Sequence, residues 1–313
     1  MVNSTQVVYF TLTAYLDIGL YKYLCFLMLL CLYLLIICAN LLLIVAICCT
    51  RSLHEPMYMF LVSLFVNELY GSTGLFPMLL VQILSDVHTV SFPLCFLQIF
   101  CVYSYAGTEV LILAVMSYDR YLAICFPLQY VTSMTPKKVV VLIALTWLIP
   151  LCAIVVLISL SVSLQLCGNV INKVCCGNYS IVRQACSDTR VNNIYGLIYT
   201  VTSMVFPLIL ILFTYVKILE ICFSGSKQAR EKAISTCTPH LASIANFSFG
   251  VCFQILEGRL GFNRLSPVFD IFSSLYYLTC QPLLTPLMYG LKLSKIRDTC
   301  KLLLGGGKVI QIV

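Results

Sequence analysis

Long stretches without charge are the feature that most restricts the fold of this chain. No Lys, Arg, Asp or Glu occurs between Lys22 and Arg51, or between Lys138 and Lys173. A helix needs about 20 mostly apolar residues to cross the hydrocarbon core of a bilayer, and both stretches are longer. Hydrophobic residues make up 61% of the chain and charged residues 10%, whereas soluble domains have about 25% charged residues. We therefore expect an all-α integral membrane protein whose solvent is the lipid bilayer.

The number of such stretches predicts a bundle of seven transmembrane helices. Two of them contain a single charge each, Glu68 and Glu109. The predicted spans lie within residues 22–51, 56–84, 91–118, 138–173, 190–217, 232–257 and 270–292. They predict a single domain over residues 1–313, with an extracellular tail (1–21), the helix bundle (22–291) and a cytoplasmic amphipathic helix and tail (292–313).

The basic residues predict the orientation of the bundle. With the N-terminus outside, most of the 19 Lys and Arg residues fall on the inner side, as the positive-inside rule requires. The sequon at Asn3 agrees, because glycosylation occurs on the outer side. Residues 292–304 alternate basic and apolar side chains at helical spacing before the run Gly305–Gly307. This pattern predicts a short helix on the inner membrane surface. No cleavable signal peptide is expected, since the first span serves as the anchor.

Other classes of protein fit the sequence less well. The net charge of +7 forms no dense basic patch, so no nucleic-acid partner is expected. A transporter would show internal repeats and paired broken helices. An enzyme would show a catalytic constellation, yet His54, His88 and His240 are far apart and no metalloprotease-type His pair occurs. We expect neither catalytic residues nor a certain metal site.

Two carboxylates within the predicted spans need an explanation, because a charge at the bilayer centre costs about 3 kcal/mol. Glu68 lies about 18 Å and Glu109 about 15 Å from the inner end of its helix at 1.5 Å per residue. Their similar depth predicts a shared cation or proton site. The alternative is two protonated carboxyls that only tie helices together.

Three further features lie within the spans or at their ends. Asp119-Arg120-Tyr121 is predicted to end the third helix at the inner face, where an acid–base pair can also be a solvated helix cap. Pro282 and Pro286 predict a kink in the seventh. Five cysteines are expected on the oxidising outer side, where disulfides form, and spacing does not select their pairs. They are Cys95, Cys167, Cys175, Cys176 and Cys186.

Five segments, taken together and in order, resemble the vertebrate odorant receptors, a branch of the rhodopsin-like G-protein-coupled receptors. They are Leu53–Leu61 (LHEPMYMFL), Met116–Cys125 (MSYDRYLAIC), Ala185–Thr189 (ACSDT), Lys232–Leu241 (KAISTCTPHL) and Pro282–Gly290 (PLLTPLMYG). The resemblance covers nearly the whole chain, and Met116–Cys125 is its most specific segment. Thr238-Pro239-His240 and the short tail resemble the fish-type, water-borne branch.

The resemblance implies a plasma-membrane receptor that binds a small-molecule odorant in the outer half of the bundle and activates a stimulatory heterotrimeric G protein. Arg120 would be held by Asp119 at rest and released on activation. The implied disulfides are Cys95–Cys176 and Cys167–Cys186, with Cys175 left over and an exchange between Cys175 and Cys176 conceivable. The resemblance also makes Na⁺ the candidate ion for the site at Glu68 and Glu109. The chain departs from the family at two positions that bear on this ion: at Glu68, where Asp is usual, and at Thr285, where Asn is usual.

A ligand pocket is expected one and two turns below Cys95. Its predicted wall consists of Val102, Tyr103, Ala106, Tyr179 and Ile255, for which plain packing is the alternative. Arg259 resembles a position where some water-borne-type receptors hold an Arg that binds a carboxylate, which predicts a small organic anion as ligand. The alternatives are an Arg that reaches the lipid headgroups or one that pairs with Glu257 or Asp270. A rhodopsin-like receptor for a hormone or peptide shares the fold and is the second hypothesis.

Overall fold

The computed structural model describes residues 7–15, 19–224, 227–260 and 267–304 of the chain. The helices are α1 (Tyr21–Cys49), α2 (Pro56–Leu84), α3 (Phe92–Cys125), α4 (Pro127–Ser133), α5 (Pro136–Val162), α6 (Asn178–Val182), α7 (Arg190–Thr200), α8 (Phe206–Ser224), α9 (Lys227–Leu260), α10 (Pro267–Lys292) and α11 (Ser294–Leu304). A π-helical segment, Val201–Val205, joins α7 to α8. The strands are β1 (Tyr9–Leu12), β2 (Thr89–Ser91) and β3 (Val170–Ile171).

Seven crossings form the bundle, as predicted: α1, α2, α3, α5, the α7–α8 pair, α9 and α10. Within the described residues, five of them are long and apolar enough to span a membrane, namely all except α9 and α10. These two carry buried polar side chains such as His240 and Gln281. The central helix is α3, which packs against α2, α5, α8 and α9. The chain therefore crosses the membrane seven times around α3.

Several helices extend beyond the membrane spans that charge predicts. The prediction that Asp119-Arg120-Tyr121 ends the third helix was wrong, because α3 continues to Cys125. It stops before Pro127, and a proline disfavours helical geometry in the residue that precedes it. The helix of the sixth span also extends beyond its prediction, since α9 begins at Lys227 and the span was predicted to begin at residue 232. A charged residue marks where a helix leaves the bilayer, but the helix can continue in water.

The outer tail contributes a strand that the sequence reading did not predict. Strand β1 pairs antiparallel with β2, with Tyr9 opposite Ser91, and parallel with β3, with Thr11 opposite Val170. Phe10 and Leu12 are buried beneath this three-stranded sheet. The N-terminal segment thus covers part of the outer end of the bundle. The sequon at Asn3 lies outside the described residues.

The inner end carries the predicted amphipathic helix, α11, which ends at Leu304, immediately before the glycine run. Ile296 on its apolar face is fully buried. On its polar face Lys295 Nζ lies 3.0 Å from Glu55 Oε1 in the loop between α1 and α2. The hydrogen bond to Glu55 raises the pKa of Lys295, so this lysine stays charged at neutral pH. The amphipathic helix is confirmed, and it is tied to the bundle.

Candidate functional site

A cavity of about 180 Å³ opens in the outer half of the bundle between α3, α5, α7 and α9. Four of the predicted wall residues line it: Val102, Tyr103, Ala106 and Tyr179. Further lining residues were not predicted, because all but Lys173 of the outer loop lie on helices whose rotation the sequence does not reveal. They include Leu157, Lys173, Asn178, Asn192, Tyr199, Thr200, Ser203, Met204, Val251 and Gln254. The side chains of Ile255 and Arg259 lie outside the described residues, so their place in the wall stays a prediction.

Disulfides hold the long outer loop over this cavity. The structure joins Cys95 at the start of α3 to Cys176, and Cys167 to Cys186, the two pairs that the resemblance implies. Cys175 keeps its thiol and lines the cavity. Gln98 adds a second tie, since its Oε1 accepts a hydrogen bond of 2.8 Å from the backbone N–H of Cys176. The loop is therefore anchored to α3 at the roof of the cavity.

Tyr103 connects three elements around the cavity. Its hydroxyl accepts a hydrogen bond of 3.2 Å from the backbone N–H of Asn178 at the start of α6. Its carbonyl accepts one of 3.0 Å from the hydroxyl of Tyr199 on α7. Beside it, Ser161 donates to Asn178 Oδ1 at 2.6 Å and accepts from Asn192 Nδ2 at 2.7 Å. This buried network fixes the loop helix α6 against α3, α5 and α7.

Below the cavity, Glu68 and Glu109 are both fully buried in the centre of the bundle. Glu68 Oε2 accepts a hydrogen bond of 2.9 Å from Tyr105 OH. Glu109 accepts from Asn67 Nδ2 at 2.9 Å and from Gln281 Nε2 at 3.0 Å. The two carboxyls interact electrostatically with each other. The predicted proximity of the pair thus holds in the fold.

Gln281 extends this network to α9 and was missed from the sequence. It also donates to Ser243 Oγ at 2.8 Å and accepts from Asn246 Nδ2 at 2.7 Å. Asn246 in turn accepts from Tyr276 OH at 2.8 Å. The signal in the sequence is a neutral amide directly before Pro282, but a neutral side chain within a span does not by itself indicate a buried polar network. The chain of hydrogen bonds links α2, α3, α9 and α10.

At the inner end, Asp119 holds Arg120. The Arg120 guanidinium donates through Nε at 3.0 Å and through Nη2 at 2.5 Å to Asp119 Oδ2. The other carboxylate oxygen accepts from Tyr130 OH on α4 at 2.8 Å. Burial, with Asp119 as the next cause, raises the pKa of Tyr130 above its ordinary value, so this hydroxyl keeps the proton that it donates. Tyr121, the third residue of the motif, packs edge-on against Phe126 at 5.6 Å between ring centroids.

Comparison with known proteins agrees with this arrangement. The "Olfactory receptor" family model matches residues 29–305. Olfactory receptor 11A1 of Homo sapiens is 34% identical over 299 residues, covering 94% of this chain and 93% of that protein. Olfactory receptor 8U3 of Mus musculus is 33% identical over 285 residues, covering 90% and 88%. The crystal structure of squid rhodopsin superposes with a TM-score of 0.77 at 15% identity, covering 95% of this chain and 91% of that one.

The fold is a seven-helix bundle of the kind seen in squid rhodopsin. The chain belongs to the olfactory receptor family. It is therefore a multi-pass protein of the plasma membrane and a receptor rather than an enzyme, with an odorant as ligand and a heterotrimeric G protein as partner. The second hypothesis, a hormone or peptide receptor, is set aside by the family match. The fish-type sub-assignment stays a prediction.

Proposed function

We propose that the outer cavity binds the odorant and that binding shifts the bundle toward a state that activates a stimulatory G protein. The observation that carries the proposal is the convergence of Val102, Tyr103, Ala106 and Tyr179 on one cavity beneath a disulfide-anchored loop. Small-molecule sites are concave and mostly apolar, with a few placed polar groups. Tyr103, Asn192 and Ser203 supply such groups here.

The charge of the cavity wall favours an anionic ligand. Among its described lining residues Lys173 is charged, and neither Asp nor Glu occurs. Arg259, whose position predicts a carboxylate contact, would add a second cation. A guanidinium offers a carboxylate two parallel hydrogen bonds, which strengthen where water is excluded. The proposed ligand class is a small organic acid or amino acid.

The elements around the cavity offer a route to the inner face. Ser203 and Met204 line the cavity and belong to the π-helical segment Val201–Val205. Such segments are frequent at functional sites, and in this proposal the segment has two alternative packing arrangements. A ligand that binds one arrangement better than the other shifts the balance between them. At the inner end this shift would release Arg120 from Asp119.

Filling the cavity with a larger side chain tests whether the odorant binds there. Ala106 is nearly buried and lines the cavity, so Ala106→Leu should raise the odorant concentration for half-maximal cyclic AMP by about tenfold or more. Ala144 on α5 is exposed toward lipid and gives the matched control, Ala144→Leu. Normal odorant sensitivity of Ala106→Leu at equal surface level would contradict the proposal.

The bundle core also fits a sodium ion, which we propose as its occupant. Glu68 Oε1 and the hydroxyls of Ser72 and Thr285 are buried with no hydrogen-bond partner among the described residues. Glu109 and Thr285 both flank the Glu68 carboxyl. Oxygen ligands of this kind suit hard cations. The ion would supply positive charge to two carboxylates that otherwise repel each other.

A further inference from the structure

Two adjacent thiols lie where the first helix leaves the membrane on the inner side. Cys48 and Cys49 are the last two residues of α1, and both are exposed. Arg51 follows Cys49 by two positions and ends the uncharged stretch that begins after Lys22. Because a charged side chain is costly inside the hydrocarbon core, Arg51 marks the boundary of that core. The two thiols therefore lie close to the level of the lipid headgroups.

The end of α1 is held in place, and so are the thiols on it. The carbonyl of Cys48 accepts a hydrogen bond of 3.1 Å from Nε2 of the His54 ring. The backbone N–H of Thr50 donates to the carbonyl of Ile47 at 3.3 Å. Ile47 is fully buried and belongs to the same apolar cluster as Ile296 of α11. The last turn of α1 thus packs on the bundle through Ile47, while its two thiols stay on the exposed side.

A lipid-facing stripe of apolar side chains runs from these thiols along α1. Its members are spaced three or four residues apart, which places them on one face of the helix. All are exposed, namely Leu34, Cys38, Leu41, Val45 and Cys48. The stripe is about 21 Å long, whereas half of the hydrocarbon core measures about 15 Å. A hydrocarbon chain bonded to Cys48 would therefore lie against apolar side chains as it enters the bilayer.

The other cysteines near the inner face are less accessible. In the described part of the chain, Cys222 and Cys237 are buried, and Cys125 and Cys300 are partly buried. Burial raises the pKa of Cys300 on α11 above its ordinary value. Less of this thiol is therefore present as the thiolate, which is the nucleophilic form. Since the inner side of the membrane is reducing, the exposed thiols of Cys48 and Cys49 stay available for reaction.

We propose that Cys48 and Cys49 are S-acylated with long-chain fatty acids. Cysteines next to a membrane span are substrates of this reversible modification. The co-reactant is a long-chain fatty acyl-CoA, whose acyl chain enters the bilayer and whose charged head stays in water, so its thioester meets a thiol at the membrane boundary. The cysteine sulfur attacks the thioester carbonyl carbon, the bond from that carbon to the CoA sulfur breaks, and the thiol proton ends on the CoA sulfur. One thioester replaces another, so no oxidant or reductant takes part.

The modification would act on the inner face of the receptor. The loop that follows Cys49 carries Glu55, whose carboxylate pairs with Lys295 of α11 at 3.0 Å. Acyl chains on Cys48 and Cys49 would hold this loop at the membrane surface, and the loop in turn holds α11. The proposal does not depend on which odorant or which G protein the receptor binds.

Metabolic labelling of the full-length receptor tests the proposal. Cells that express a tagged receptor are given an alkynyl analogue of palmitate, and the label on the purified receptor is measured before and after treatment with neutral hydroxylamine, which cleaves thioesters. We expect the wild type to carry label that hydroxylamine removes. Mass spectrometry of the tryptic peptide 23–51, which contains both thiols, should place the label on Cys48 and Cys49.

Serine variants assign the site. The double variant Cys48→Ser/Cys49→Ser should carry about a tenth of the wild-type label or less, because a hydroxyl replaces each nucleophilic thiol. Each single variant should keep about half of the label. Cys38→Ser is the matched control, since Cys38 is exposed on the same stripe but lies about 15 Å deeper in the bilayer. Cys38→Ser and Cys300→Ser should both keep the full label.

Three outcomes would overturn the proposal. A wild-type receptor without hydroxylamine-sensitive label would mean that Cys48 and Cys49 are only small apolar side chains that face lipid. A double serine variant with the full label would place the modification elsewhere, and label that is lost in Cys300→Ser instead would place it on α11. If the double variant does not reach the cell surface, the position of the label on the wild-type peptide decides the question.

Discussion

The side-chain amide of Asn40 on α1 donates a hydrogen bond of 2.9 Å to the backbone carbonyl of Pro282 on α10. This carbonyl has no partner within its own helix, because Pro286, four residues later, lacks an N–H. Asn40 is fully buried and donates a second hydrogen bond of 2.9 Å to the carbonyl of Ile36. A side chain from the first helix therefore completes the backbone hydrogen bonding of the last.

Asn40→Ala should destabilise the receptor by about 1–3 kcal/mol, since it leaves a buried carbonyl without a partner. The measurement is the thermal unfolding midpoint of purified receptor in detergent. Pro286→Ala restores the missing N–H, so Asn40→Ala should cost clearly less in that background. An equal loss in both backgrounds would show that Asn40 stabilises the bundle in another way.

This contact shows which parts of the fold the sequence could predict. Pro282 and Pro286 stand out in an apolar span, but Asn40 is 242 residues away, and only the packing of α1 on α10 reveals it. The positions of the membrane spans can be predicted from charge, because the free-energy cost of burying a charge in the bilayer depends only on the stretch of sequence that contains it. Hydrogen-bond partners depend on how each helix is rotated. For that reason Glu68 and Glu109 could be paired by depth, while Gln281, the partner of Glu109, was missed.

The outer surface was less predictable for a related reason. Strand β1 has only four residues, and its partners begin at Thr89 and Val170. Such a short strand has no periodicity long enough to distinguish it from a loop. The wall of the odorant cavity was predictable on α3, where Cys95 fixes the reference point, and unpredictable on α7, where Asn192 and Tyr199 take part.

Glu68→Gln and Glu109→Gln should change basal cyclic AMP non-additively. The carboxyls interact with each other and belong to one hydrogen-bonded core, so removal of one charge alters the effect of removing the other. If they share Na⁺, replacement of sodium by choline in the medium should change basal activity in wild type but not in the double variant. Additive effects at matched expression would favour two separate carboxyls that tie helices together.

Arg120→Ala should abolish odorant-driven cyclic AMP while the receptor still reaches the cell surface. Arg120 is held by Asp119 in this structure and is the residue proposed to be released on activation. Flow cytometry of an N-terminal tag measures the surface level. An Arg120→Ala receptor that signals normally would refute this role.

Tyr130→Phe should have the opposite effect on cyclic AMP signalling from Arg120→Ala. The hydroxyl of Tyr130 donates to the same carboxylate that holds Arg120, and hydrogen bonds to charged groups contribute about 1.5–3 kcal/mol. Loss of this bond should loosen the resting arrangement and raise basal cyclic AMP several-fold. Tyr33→Phe is a control, since Tyr33 bonds to Thr73 on the outer, lipid-facing side. Unchanged basal activity of Tyr130→Phe would show that the bond does not restrain Asp119.

Cys176→Ser should block surface delivery, and Cys186→Ser should reduce it less. The first disulfide closes a sequence separation of 81 residues and the second one of 19. From loop-closure entropy, the first disulfide should stabilise the fold by about 4.5 kcal/mol and the second by about 3 kcal/mol. Cys175→Ser is the matched control, because the structure leaves this thiol free of a disulfide. Non-reducing peptide maps that join Cys95 to Cys175 would instead establish the exchanged pairing.

The carboxylate hypothesis is tested by comparing organic acids with their methyl esters. If the ligand's carboxylate binds Arg259, the acids should activate wild type and the esters should not. Arg259→Ala should then raise the half-maximal concentration of an acid by about tenfold to a hundredfold, as expected for a lost charged hydrogen bond.

Lys173 lines the cavity, so Lys173→Ala is measured beside it. Arg183 is exposed and lines no part of the cavity, which makes Arg183→Ala the control for loss of an outer positive charge. A response to acids that falls in Lys173→Ala but not in Arg259→Ala would move the anchor to Lys173 and keep the ligand class. Esters as potent as acids would exclude an anionic ligand. The Ala106→Leu variant would still test whether the odorant binds in this cavity.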